Sequence, residues 1–305
     1  MEIHQLRYFV AVAEEKSFSR AAERARVAQP SLSQQIQKLE SELGQPLFDR
    51  LARKVILTEA GHGFLPYAQR ILNELSSAQR FVSDRGENPR GEVSLGILPT
   101  IAPFIVEKLL ATCSERFPAV RVNLIEDVTE NLVRMIDGGE NDLAIISNCR
   151  DAKGAHVEKC VEEPLVAVLP ANHLLANGSE VTWRELIRDT VLILPESHCL
   201  SQQIQRSCLT HRVRHKRVGA LQLSTLLGMV AAGRGISLVP CMAMNNRAAH
   251  AGYVFLKFKG VQPRREINLL RNAQHYQSKA AVTVATMAKE VLREAISADA
   301  EPRRK

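Results

Sequence analysis

The sequence predicts an α/β protein in two parts: an amino-terminal winged helix-turn-helix with a long linker helix, then a two-lobed α/β effector half. Three observations predict it. Short apolar-periodic helices meet across the turn "VAQPS" within the first 45 residues. A single amphipathic run from Thr58 to about Arg85 follows, too long for the small domain beside it to cover. Beyond "GENPRGE", residues 86 to 92, strand and helix patterns alternate, which implies parallel sheet with crossover helices.

In the first part, "LRYFVAVAEEKS" sets Leu6, Phe9, Val10 and Ala13 on one helical face. Ser19 is the expected N-cap of the next helix, "RAAERA", whose alanines permit close packing. Pro30 stands near the start of a third helix, Ser31 to Leu43, predicted to bury Leu32, Ile36, Leu39 and Leu43 and to end at Gly44. Its other face carries Ser31, Ser33, Gln34, Gln37 and Lys38. Small polar and amide side chains at a helix amino end suit base edges in a major groove, and the helix end suits a phosphate. "LFDRLARKVILTEAG" reads as a wing, with Arg50, Arg53 and Lys54 placed for backbone contact that positions without reading sequence. The long helix has Thr58 as N-cap and an apolar stripe of Phe64, Ala68, Ile71, Leu75 and Phe81, which implies a second chain. A solitary three-helix core with a solvated face is the plainer reading.

In the second part the strands are "EVSLGIL", "VRVNLIED" and "DLAIIS", separated by helices "TIAPFIVEKLLATCSERF" and "TENLVRMIDGG". The pattern restarts with "PLVAVLP", "TVLILP", "LSTLLGMVAAG" and "GISLVP", and "REINLLRN" with a last helix from about Gln277 to Ile296 returns to the first lobe. The expected boundaries are 1–58 for the winged domain, 59–90 for the linker helix and hinge, 91–161 with 265–300 for one lobe, and 162–264 for the other. Ligands of such sheets sit at the carboxyl ends of strands. Thr100 and Thr129 fall near those ends, although a hydroxyl there is more often a helix cap. "TVLILPESHC" delivers His198 and Cys199 to the same edge.

The net charge of +7 is compatible with a polyanionic partner without requiring one. No apolar run reaches the roughly 18 residues of a membrane span, and the start lacks a signal-peptide pattern, so the expected location is the cytoplasm. The six cysteines show no CxxC and no Cys/His ligand spacing, so neither a metal nor a cofactor is expected. No carboxylate pair, phosphate loop or serine triad supports an enzyme. Cys113 and Cys149 read as inert core thiols, Trp183 and Cys241 as core, and "HRVRHKR" (211–217) as a strand with one solvated face.

Cys199 and Cys208 lie nine residues apart in "HCLSQQIQRSC". A helix amino end favours a thiolate, and His198, Arg206, Arg264 or Arg265 add positive charge if they fold nearby. A thiolate reacts with peroxide to give a sulfenic acid, with which a second thiol condenses. If the segment is helical, nine steps at about 1.5 Å separate the Cα atoms by roughly 13 Å, on opposite faces. A disulfide needs them within about 7 Å, so the bond and the helix exclude each other. Spacing alone leaves two readings open: a switch pair, or two unrelated thiols.

The run from "LRYFVAVAEEKSFSRAAERA" through "LFDRLARKVILTEAG" resembles the LysR-type transcriptional regulators. That resemblance implies a winged helix-turn-helix, dimerisation through the linker helix and a homotetramer on two half-sites of double-stranded DNA. It makes Ser31, Ser33 and Gln34 readers, with Lys38, Arg50 and Arg53 on the backbone. The effector half resembles the periplasmic-binding-protein-like fold of the same family. "HCLSQQIQRSC", "LQLSTLLGMVAAGRGISLVP" and "PRREINLL" resemble its peroxide-sensing OxyR branch. The branch implies Cys199 as peroxidatic and Cys208 as resolving residue, hydrogen peroxide as signal, and a pocket of Thr100, Thr129, His198 and Arg265; the basic run 211–217 is a candidate contact for a neighbouring subunit or RNA polymerase. This chain departs from that branch at Ser197, where Gly is usual, and at Ser201-Gln202, where Arg-Asp is frequent. Alternatives are a regulator answering to a small organic metabolite between the lobes, or a thiol peroxidase joined to a DNA-binding domain.

Overall fold

The computed structural model describes residues 1–49, 55–84, 88–149, 152, 154–219, 222–245 and 252–297. Two compact units emerge, one of residues 1–85 with 138–140, the other of 86–137 with 141–305.

In the first unit, α1 (Ile3–Glu15), α2 (Phe18–Ala25) and α3 (Gln29–Leu43) precede a minimal hairpin of β1 (Phe48–Asp49) and β2 (Ile56–Leu57), then α4 (Glu59–Ser83). The α2 cap is Ser17, whose hydroxyl accepts from the Arg20 amide, and not the predicted Ser19. Ser17 is the last extended residue before the chain turns helical, so its oxygen meets the free amides. Phe9 is fully buried, 5.4 Å from Phe48 and 5.3 Å from Phe64 between ring centroids, which joins α1, the hairpin and α4 in one core. Leu32, Ile36 and Leu39 are buried on α3 as predicted, but Leu43 is 38% exposed. It occupies the last helical turn before Gly44, whose φ of 70° ends the helix, and the chain there has turned away from the core. Val10 and Ala13 pack only partly, and Val12 joins Phe9 as a fully buried residue of α1. The Glu40 carboxylate accepts the amides of Leu47 (2.8 Å) and Phe48 (3.1 Å) and thereby fixes the entry to the hairpin. Thr58 caps α4 as predicted, accepting from Gly61 at 3.0 Å.

The second unit carries β3 (Gly91–Ile97), α5 (Ala102–Arg116), β4 (Val120–Glu126), α6 (Thr129–Asp137) and β5 (Leu143–Ser147), the βαβαβ order the sequence predicts. The long β6 (Ala155–Pro170) leads to β7 (Glu180–Val181), β8 (Thr190–Ile193), α7 (Cys199–Thr210), β9 (Arg214–Arg217), α8 (Leu223–Ala231), β10 (Ser237–Pro240), β11 (Tyr253–Phe258), β12 (Arg264–Asn272) and α9 (Lys279–Ser297). Only part of the sheet is parallel: β4, β3 and β5 are, as is the pair β11 and β7, whereas β12 runs antiparallel to both β5 and β6. The return strand enters from the opposite end, which a pattern of alternating strands and helices does not specify. One apolar core lies around β3, β5, α5 and α9. Two further cores lie on either face of the second half of β6, one under α7 and the other under α8. Strands β8 and β9 form a separate parallel pair, and the basic "HRVRHKR" segment supplies β9 with Arg214, Lys216 and Arg217 exposed. Trp183 and Cys241 are core residues, as expected.

Candidate functional site

β8 ends in the fully buried Ile193, and "LPESH" turns the chain into α7. His198, extended and buried, is the cap residue, so Cys199 is the first residue of the helix, half-buried against the core around β3 and β5. The helix runs unbroken to Thr210, and Cys208 is fully buried in a different core, with Leu200, Ile204, Trp183 and Phe258. Burial pushes the Cys208 thiol up to about 11. Both thiols are free. The ends of α7 are held differently. Near the amino end, Gln203 accepts from Asn148 Nδ2 at 3.0 Å and donates to the Arg264 carbonyl. At the carboxyl end His211 stacks on Trp183, 4.5 Å apart and 8° from parallel, and Arg212 takes a left-handed φ of 58°.

The other proposed pocket residues divide. Arg265, fully buried on β12, donates through Nη1 to Thr100 Oγ1 (2.9 Å), through Nη2 to the Thr100 carbonyl (3.0 Å), and through Nε to Glu163 Oε2 (2.7 Å). Thr100 therefore does not cap α5; its hydroxyl is an acceptor for a guanidinium. Thr129 opens α6, yet its buried Oγ1 has no hydrogen-bond partner, so it caps nothing either. Ser201 Oγ, in the first turn of α7, is also buried without a partner. A cavity of about 800 Å³ is lined by Pro99, Phe104, Asp127 and Val128 on one side and by Ser197, His198, Leu227 and Tyr253 among others. His198 lines it directly; Thr100 and Thr129 each follow a lining residue. Arg206 is exposed on α7, and Arg265 is committed to Thr100 and Glu163.

Sequence reading missed Glu163, which is fully buried, faces Arg265 across the β6–β12 ladder, and also accepts the Met242 amide at 2.9 Å. Its signal was a carboxylate directly ahead of the buried run "PLVAVLP". Cys113 is buried and its thiol raised by that burial, as expected of an inert thiol; Cys149 is only half-buried. On α3, Ser31, Gln34 and Lys38 are exposed and Ser33 half-buried. Arg50, Arg53 and Lys54 fall outside the described residues.

Residues 3–62 match the model of bacterial regulatory helix-turn-helix proteins of the lysR family, and residues 86–293 match the LysR substrate binding domain. The chain is 34% identical over 273 residues to the DNA-binding transcriptional dual regulator OxyR of Escherichia coli strain K12, covering 88% of this chain and 89% of that one. It is 33% identical over 267 residues to a probable hydrogen peroxide-inducible genes activator of Mycobacterium avium, covering 87% and 86%. A full-length OxyR variant from Pseudomonas aeruginosa superposes with a TM-score of 0.76 at 27% identity, over 96% of this chain and 98% of that one. Full-length CbnR, solved with its target DNA, shares the fold at a TM-score of 0.71 and 23% identity, over 97% of this chain and 100% of that one. These matches run through both units, and the chain belongs to the LysR family of helix-turn-helix transcriptional regulators, a family of regulators and not of enzymes.

Proposed function

We propose that this regulator senses hydrogen peroxide by forming a Cys199–Cys208 disulfide that rearranges the effector half and alters its grip on DNA. One observation carries the reading: both thiols belong to one continuous helix yet pack into different cores. Nine helical steps separate their Cα atoms by roughly 13 Å, about twice what a disulfide spans. Bond formation thus requires α7 to unwind, which gives the effector half two incompatible local structures. The Mycobacterium avium relative, whose name carries hydrogen peroxide induction, supports the choice of signal.

In chemical terms, the Cys199 thiolate attacks one peroxide oxygen, the O–O bond breaks, and the departing hydroxide takes a proton to leave as water. The resulting S–OH then meets Cys208, the S–S bond forms, and a second water leaves with the thiol proton. Thr100, Thr129, His198 and Arg265 form the pocket that orients peroxide. A hydroxyl without a partner at Thr129 and one held as acceptor at Thr100 are both able to donate to a bound oxygen.

DNA is read by Ser31, Ser33 and Gln34, with Lys38, Arg50 and Arg53 on phosphates. The exposed Tyr67, Ile71, Phe81 and Val82 of α4 form the surface for a second subunit, and pairs of such dimers make the tetramer. RNA polymerase is the partner through which the bound regulator acts. The effector half comprises one lobe of 91–161 with 265–300 and a second of 162–264.

Treating the reduced protein with a few equivalents of peroxide should give one Cys199–Cys208 bond by peptide mass spectrometry and change the length of the DNase footprint. A footprint that shifts equally in the Cys199→Ser variant would reject the reading in favour of another effector.

A further inference from the structure

We infer that Glu163 is a positioning residue for the peroxide reaction, acting through Arg265 to hold the Thr100 hydroxyl as a hydrogen-bond donor; this rests on the peroxide-sensing reading above. A guanidinium only donates, so the 2.9 Å contact from Arg265 Nη1 makes Thr100 Oγ1 an acceptor. The threonine proton must then point elsewhere, and among the described residues it has no recorded acceptor. Thr100 is 2% exposed and follows Pro99, which lines the cavity that His198 also lines; on this inference the free proton serves peroxide bound there.

That orientation is only as firm as the arginine plane. The second guanidinium contact, Nη2 to the Thr100 carbonyl, fixes the fork on both oxygens of one residue. Glu163 fixes it from behind: its Oε2 accepts Nε at 2.7 Å, and its Oε1 is tied to the Met242 amide. Glu163 and Arg265 are both fully buried and lie opposite each other in the β6–β12 register, so neither has room to re-pair with water. A buried pair of this kind contributes little to net stability, and what it provides is a fixed geometry. The hydroxyl donor it sets is needed when the peroxide O–O bond breaks and negative charge develops on the departing oxygen.

The test compares two reactions of the same sulfur in a Cys208→Ser background. One is single-turnover sulfenic acid formation with limiting hydrogen peroxide, trapped with dimedone; the other is alkylation of Cys199 by iodoacetamide, in which no oxygen leaves. Glu163→Gln should slow the peroxide reaction about tenfold or more and leave alkylation within about twofold. Because that change leaves Arg265 buried without its counter-charge, Glu163→Gln with Arg265→Gln is the companion, and it should show the same selective loss. Thr100→Val keeps the ion pair and removes only the donor, and should reproduce the effect. A folded Glu163 variant with parental peroxide reactivity, a parallel fall in both reactions, or an unaffected Thr100→Val protein would each overturn the inference. A parent protein that forms no sulfenic acid would instead sink the peroxide reading, before any variant is made.

Discussion

The two ends of α7 differ in almost every respect that governs a thiol. Cys199 is half-buried at the amino end, beside a cap residue that lines a cavity, where peptide dipoles leave positive charge. Cys208 is fully buried nine residues on, among aliphatic and aromatic side chains, and burial alone drives its thiol up to about 11. One sulfur is presented and the other withheld. On the proposed reading, this difference in packing sets the order in which the two thiols oxidise. Buried and held protonated, Cys208 would act as a nucleophile only after leaving its core.

The strongest way to break this contrast is alkylation of the reduced, folded protein across pH. Cys199 should react at least a hundredfold faster than Cys208 near neutral pH, read by mass spectrometry of each cysteine peptide. The Cys208 rate should climb with pH until about 11, since below that value its thiol stays protonated. In the unfolded chain the thiol ionises near its ordinary value of 9.0, so the folded state holds the extra proton between there and about 11. This group's contribution is therefore full below pH 9 and is lost as pH rises through that window, as denaturation midpoints would show. Equal reactivity of the two thiols would remove the asymmetry.

A smaller effect sharpens the contrast at the carboxyl end. The stacked His211 and Trp183 rings hold the turn through which Cys208 would leave in the proposed switch. His211→Ala gives up an aromatic contact of about 0.5–1.5 kcal/mol, so disulfide formation should quicken about two- to tenfold. Sulfenic acid formation at Cys199 should stay unchanged. Stopped-flow quenching with separate assays of the two steps measures both.

The smallest effect lies outside the contrast and serves as its control. Thr58→Ala removes the α4 cap bond to Gly61, at a cost of about 1 kcal/mol to the amino-terminal unit. Thermal denaturation should register that loss, and the kinetics of Cys199–Cys208 bonding should not move.

Much of this arrangement is legible in the sequence itself. Helix periodicity places Leu32, Ile36 and Leu39 inside, and the Thr58 cap and the βαβαβ order are local patterns. What was not legible depends on residues far apart in the chain. The antiparallel entry of β12, which puts Arg265 opposite Glu163, comes from how the chain returns across the sheet. Thr100 and Thr129 were readable as caps or as site residues, and only their surroundings show that neither caps. Leu43 looked buried because the period continued to it, while the chain had already turned at Gly44. The helical state of the segment between Cys199 and Cys208 is legible too, since "SQQIQRS" lacks glycine, proline and β-branched runs that would interrupt it.

The chain contains a single tryptophan, and that residue lies face to face with the imidazole ending α7. Any event that pulls this segment apart must change the indole's neighbours and with them its emission. The molecule thus carries its own optical gauge for helix opening, readable in solution without a label and without a second chromophore of its kind to blur the trace.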